Sequence, residues 1–237
     1  FLYSGLFQYI RTSLDRLVNH VHCLADAGCS SSQRKHSRLS VEDHRWLMDH
    51  MMQTSHELSQ ETEKAQQFEE FNLHALLRDL HAYALREGFA NGRGNLEVIL
   101  DSPVRKDDLR VNGDSAGLRL VLMLLLQHSL SHNFTGRIFL NYTCRDRTID
   151  FSLADNSNAF SINRYNQLFT LFNGQSFDEL NAPSAAGSGL ILAGAFTFRM
   201  GGQIWAETSE KGSTRFVIRW PLSRAASKEN EALKPSN

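Results

Sequence analysis

Cysteine and proline are scarce in this chain, charge of neither sign prevails, and no apolar run is long. There are three cysteines, Cys23, Cys29 and Cys144. Their odd number and the lack of a CxxC pair argue against a disulfide scaffold or a zinc finger and for a reducing compartment. Lys+Arg 25 against Asp+Glu 26 leaves a formal charge of −1, so no global field draws in nucleic acid or an anionic membrane. The longest apolar run, Leu120 to Leu126, is too short to span a bilayer. What is present is a globular balance, 41% hydrophobic and 22% charged over 237 residues, which excludes a mostly disordered chain. That length suits one large domain or two modest ones. The chain opens on Phe1 without an initiator Met or signal peptide, as expected of part of something longer.

Hydrophobic periodicity divides the chain in two. Phe7, Ile10, Leu14, Leu17, Val21 and Leu24 recur at spacings of three and four, the a and d seam of a long helix. A polar loop is expected from Ala27 to Arg38. A second helix is expected from the capping-box pattern Ser40-Val41-Glu42-Asp43, with Leu47, Met51 and Leu58 on its stripe. Two such helices form an antiparallel hairpin whose seam is covered by pairing with a second copy. From Phe68 the pattern changes. Helices at 73–88, 115–132, 161–172 and 187–200 alternate with strands at 96–100, 108–112, 137–143, 148–154, 203–207 and 214–220, which predicts one helix layer on one sheet. The tail 223–237 is polar and aperiodic, a linker or disordered end.

The C-terminal third carries the most specific pattern. Gly187-Ser188-Gly189-Leu190-Ile191-Leu192-Ala193, Met200-Gly201-Gly202-Gln203-Ile204 and Gly212-Ser213-Thr214-Arg215-Phe216 stand in the order of the last third of sensor histidine kinase ATPase domains. The chain resembles that family. A Gly-rich turn at a helix N-terminus offers backbone N–H groups and a positive dipole end to phosphate. Upstream, Phe71-Asn72-Leu73 resembles the first strand and helix, and Gly113-Asp114 with Leu118-Arg119 resembles the lead into the asparagine box. Leu153-Ala154-Asp155 resembles the approach to the D-x-G-x-G box, and Leu168 to Phe172 the phenylalanine box. Ile10-Arg11-Thr12-Ser13-Leu14 resembles the segment after the phospho-accepting His, so the likeness spans about residues 1–222.

The departures fall on the chemistry. The acceptor His position is Gln8, followed by Tyr9, and a Gln amide cannot form a phosphoramidate. The asparagine-box positions, which the family uses for Mg²⁺ and phosphates, are Leu124 and His128, with Ser131 and His132 after them. Leu cannot ligate Mg²⁺, and imidazole suits so hard a cation poorly. Asp155, which in the family contacts the adenine amino group, is retained. The glycines after it have become Ser157 and Ala159, whose side chains intrude on the nucleotide approach. Between Phe172 and Gly187 the lid segment is short. Gly187 and Gly189 remain as a vestigial phosphate turn or as close-packing glycines.

Three histidine features carry sharper readings. His56-Glu57-Leu58 imitates an acceptor box but lacks the following R-T-P and stands too near Phe71 for another hairpin helix, so a polar helix face accounts for it. His20 and His22 read as interface histidines. His128 and His132, at i and i+4, could face a metal together, yet no Glu of an HExxH lies between them and no third ligand is evident.

The resemblance therefore implies an α+β chain. Residues 1–67 form a dimerising helical hairpin (a dimeric four-helix bundle), 68–222 a degenerate Bergerat/GHKL α/β two-layer sandwich, and 223–237 a tail. The expected function is a pseudokinase core, a homodimeric scaffold or regulator in a phosphorelay. Its partner would be a response regulator, a receiver domain or a partner histidine kinase. No cofactor is expected, with ATP binding weak if present; no metal, nucleic acid or membrane contact is expected of this segment. The setting would be the cytoplasmic part of a larger inner-membrane bacterial sensor. The alternatives are an ATP-dependent kinase or phosphotransferase with a displaced acceptor such as His56, and an ATP sensor without hydrolysis.

Overall fold

The computed structural model describes residues 69–90, 96–101, 109–133, 135–145, 147–155, 161–170, 185–209 and 213–222, with scattered positions between 18 and 52. The elements run β1 (Glu69–Asn72), α1 (Leu73–Ala90), β2 (Leu96–Asp101), β3 (Arg110–Gly113), α2 (Ser115–His132), β4 (Gly136–Cys144) and β5 (Thr148–Asp155). They continue as α3 (Ile162–Thr170), α4 (Ala185–Arg199), β6 (Gln203–Thr208) and β7 (Thr214–Pro221). All but β1, which only the family resemblance suggested, agree with the periodicity reading to within two residues at most termini. The strand expected at 108–112, however, does not join the main sheet: β3 pairs antiparallel with β1 in a separate two-stranded ladder.

The main sheet has strand order β2-β4-β5-β7-β6. β2 runs parallel to β4, and the remaining pairs are antiparallel. Period-two alternation decides the faces. Leu140, Leu153, Phe216 and Ala206 form one rung of the inner face, and Tyr142, Phe151 and Ile218 line the next; all are buried. The outer face carries charge instead. Asp150 accepts from Arg219 Nε at 2.8 Å and Nη2 at 3.0 Å and from Arg145 Nε at 2.8 Å. Arg219 in turn lies over the Trp205 ring at 5.7 Å, and Arg215 pairs with Glu207. The hydrogen bond from Arg219, with help from Arg145, holds the Asp150 carboxyl below its usual range.

α2 is apolar nearly all round, and residues 118 and 120–130 are all buried, which marks a helix enclosed on every side. Its start is fixed by Asp114, whose carboxylate accepts from the Gly117 N–H at 2.9 Å, an N-cap. Asn72 does the same for α1, accepting from Ala75 N–H at 2.9 Å. α1 is tied to β4 by a 2.6 Å hydrogen bond between buried His74 Nε2 and the Tyr142 hydroxyl, and to β2 by His81 Nε2 and the Val98 carbonyl at 2.7 Å.

The short α3 is held by two unusual contacts. The Asn166 side-chain amide accepts from Ala206 N–H at 2.7 Å and donates to the Ala206 carbonyl at 3.0 Å, acting as a surrogate strand on the free side of β6. Phe169 sits so close to α4 that a Cβ on Gly194 would lie 2.4 Å from its carbonyl oxygen. Only glycine permits that crossing.

Of the hairpin expected over residues 1–67, the described positions 18, 21, 24, 25, 41, 45, 48, 49 and 52 are helical. Positions 31–35 and 37–38 are also helical, against the expected loop from Ala27 to Arg38. The reason is local: Ser30 N–H donates to Gln33 Oε1 at 2.8 Å and Gln33 N–H to Ser30 Oγ at 3.2 Å, a capping box inside the polar stretch. The tail 223–237 lies outside the described residues.

Candidate functional site

The expected site residues that are described lie on α2, at the end of β5 and in the first turns of α4. α2 places Leu124 and His128 one turn apart on the same side, 1% and 5% exposed. β5 ends at Asp155, on the inner face and 1% exposed, directly across from Thr214 of β7, also 1% exposed. Phe216, two residues along β7, brings its ring edge-on to His128 at 5.8 Å. α3 contributes Tyr165, fully buried, whose hydroxyl shares a 3.3 Å hydrogen bond with His128 Nε2 and whose ring meets the imidazole edge-on at 5.6 Å. The His132 ring stands 4.6 Å from that of His128. Ser131, at the position where the family carries a basic residue, turns its hydroxyl back to donate to the Gln127 carbonyl at 2.7 Å.

Three of these residues carry no sequence signal that they adjoin a site. Tyr165 belongs to an apolar stripe with Leu168 and Phe169 at i+3 and i+4, and nothing in that spacing separates a core tyrosine from one facing a site. Thr214 and Phe216 stand inside the closing G-S-T-x-F pattern, but only the register across to Asp155 shows what they adjoin.

The glycine box is placed differently from expectation. α4 begins at Ala185, so Gly187 is in its first turn and Gly189 is the fifth residue. By then the backbone N–H is committed to the helical ladder. Of the two, Gly187 alone keeps a first-turn N–H, and Gly189 is buried within the helix. Gln8, Tyr9, His20, His22, His56, Ser157, Ala159 and the segment 171–184 lie outside the described residues.

A Mg²⁺-nucleotide demands oxygen ligands for the metal. Leu124 offers none, and the His128 imidazole is engaged by Tyr165 within a ring of aromatic side chains. Among the described residues no group of three or more His, Cys, Asp or Glu is placed to hold a metal ion. The donor set does not fit Mg²⁺. Asp155 and Thr214 place a buried carboxylate and a buried threonine opposite each other on β5 and β7. No helix among the described residues is long and apolar enough to cross a membrane.

Comparison with known proteins bears on the fold. Residues 113–224 match the family described as histidine kinase-, DNA gyrase B- and HSP90-like ATPases. The catalytic domain of histidine kinase ThkA is 22% identical with a TM-score of 0.51, covering 65% of this chain and 95% of that one. The Acinetobacter baumannii histidine kinase AdeS is 15% identical with a TM-score of 0.54, covering 90% of this chain and 97% of that one. Full-length ShkA, solved in complex with AMPPNP, is 18% identical with a TM-score of 0.55 and covers 95% of this chain and 46% of that one. No curated protein matches the sequence. Residues 113–224 are thus similar in sequence to the histidine kinase-, DNA gyrase B- and HSP90-like ATPases, and the fold is that of histidine kinase catalytic domains.

Proposed function

We propose that the chain is a degenerate histidine kinase core, a pseudokinase that scaffolds or regulates a two-component phosphorelay without phosphorylating itself. The observation that carries this reading is the pair Leu124 and His128. They occupy the positions at which the resemblance expects two metal-ligating asparagines, and both are buried in apolar or aromatic surroundings. Gln8 at the acceptor position supports it from the other end of the reaction. In this reading Leu124 and His128 orient no metal-bound phosphoryl donor, and Gln8 offers no imidazole to receive it.

In this reading residues 1–67 dimerise the molecule as a helical hairpin, and 68–222 present the ATPase-like fold. Val21, a seam position, is about half exposed in the single chain, as a seam awaiting its second copy would be. The partner is a response regulator, a receiver domain or a catalytically competent histidine kinase. The setting is the cytoplasmic side of a membrane-bound bacterial sensor, of the kind represented by the phosphotransfer intermediate of the Rcs phosphorelay.

A second reading rests on Asp155. Its buried place opposite Thr214 suits an adenine amino group, and Gly187 keeps a first-turn N–H, so a metal-independent nucleotide sensor is the alternative. Incubation with labelled ATP and Mg²⁺ tests the first reading. The chain should remain unlabelled, and acid-labile label on His56 or any other histidine would replace it with a kinase that uses a displaced acceptor.

A further inference from the structure

His128 does more than lack metal-ligand chemistry. Its imidazole is enclosed by rings from three other places, Tyr165 on α3, Phe216 on β7 and His132 one turn along α2. Tyr165 and Phe216 also meet each other edge-on at 5.0 Å, and Phe169 meets Phe216 at 6.0 Å. If the position needed only to be filled, an aliphatic side chain would fill it without desolvating a polar ring. A buried imidazole costs free energy unless it is hydrogen-bonded, and the Tyr165 hydroxyl supplies that bond. The bond joins α2 to α3, a helix of nine residues. α3 is fastened as well by the Asn166 amide on β6, the Phe169 crossing at Gly194 and the ring contacts with Phe216.

We propose that the His128–Tyr165 contact is autoinhibitory. The imidazole and phenol meet between α2 and α3, at the position that the preceding reading assigns to metal-bound phosphates, and they tie α3 to α2. The proposal rests on the preceding reading of this site as inherited from a nucleotide pocket. It adds that the pocket is closed by a breakable polar contact as well as stripped of its metal ligands. Releasing that contact opens the site to an adenine nucleotide without a metal, because Asp155 and Thr214 are retained at its floor.

The test uses the full chain and a fluorescent ATP analogue in EDTA. The wild type is titrated first, with and without Mg²⁺, and then His128→Ala and Tyr165→Phe. His74→Ala is the control for general loosening, since it breaks a comparable buried His–Tyr bond, between α1 and β4. Tyr165→Phe, which removes only the hydroxyl, should tighten metal-free binding by about five-fold, the worth of one buried hydrogen bond. His128→Ala should tighten it further, and His74→Ala should leave it unchanged. Unchanged affinity in variants that still melt cooperatively would overturn the proposal, as would an equal gain in His74→Ala. Where His128→Ala fails to fold, Tyr165→Phe alone decides. Tight Mg²⁺-dependent binding by the wild type would overturn both this contact's role and the pseudokinase reading. Absent wild-type binding with unresponsive variants would overturn the contact's role alone.

Discussion

Gly88 and Gly194 are both helical glycines, and their surroundings predict opposite responses to one added methyl. A Cβ at Gly88 meets nothing within 4 Å, whereas at Gly194 it meets the Phe169 carbonyl oxygen at 2.4 Å. Gly88→Ala should stabilise the fold by about 0.5–1 kcal/mol through helix propensity. Gly194→Ala should cost about 1–3 kcal/mol as α3 is pushed off α4. Urea midpoints of the two variants check the contrast. The outer-face carboxylate Asp150 gives a pH signature. Arg219 and Arg145 lower its folded pKa, so its contribution is present above the unfolded carboxylate pKa of about 3.9 and fades as pH falls through the lower folded value. Asp150→Asn should therefore be less stable than wild type at pH 7, with the gap closing in acid; a gap that widens in acid would contradict the assignment. Residues of this kind differ in how legible they are. Leu124, His128 and Asp155 stand out because a motif says what belongs there. Gly194, Asn166 and Tyr165 do not, because their roles are set by what crosses them from elsewhere in the chain.

Helices and strands of the 68–222 region were readable because each pattern agrees with its burial. β5 alternates strictly between inner and outer faces, and α2 is a continuous apolar run long enough for an enclosed helix. Two local features defeat that reading. The Ser30–Gln33 capping box turns a polar stretch into helix, and α4 extends N-terminally to Ala185, which moves Gly189 off the helix terminus. Pairing was less legible than presence. Nothing in the β3 sequence, Arg110–Gly113, tells that it pairs with β1 rather than the main sheet. The β6 edge is the element most dependent on one side chain, since Asn166 serves both the N–H and the carbonyl of Ala206. Asn166→Leu should cost about 1–3 kcal/mol, read from denaturant unfolding, and should speed hydrogen exchange at the Ala206 amide ahead of that at the β5–β7 pairing. Loss of protection at β5 and β7 first would show that the edge is held by something else.

For the molecule as a whole, the proposal joins a dimerising segment to an ATPase fold that has lost its chemistry. If the seam from Phe7 to Leu24 pairs two copies, Leu14→Glu with Leu17→Glu should give monomers by light scattering, since burying each Leu is worth about 1.5–3 kcal/mol. A double mutant that stays dimeric would place the interface elsewhere. The likeness in class was legible because Gly, Met-Gly-Gly and Gly-Ser-Thr patterns keep their order. The proposed loss of function rests in the sequence on residue types alone, and the aromatic contacts of Tyr165 and Phe216 with His128 required the folded chain. Calorimetric titration of the wild-type chain with ATP, in the presence and absence of Mg²⁺, tests the inactive-site reading most directly. The expected result is absent or weak binding that Mg²⁺ leaves unchanged; micromolar affinity that appears with Mg²⁺ would contradict it.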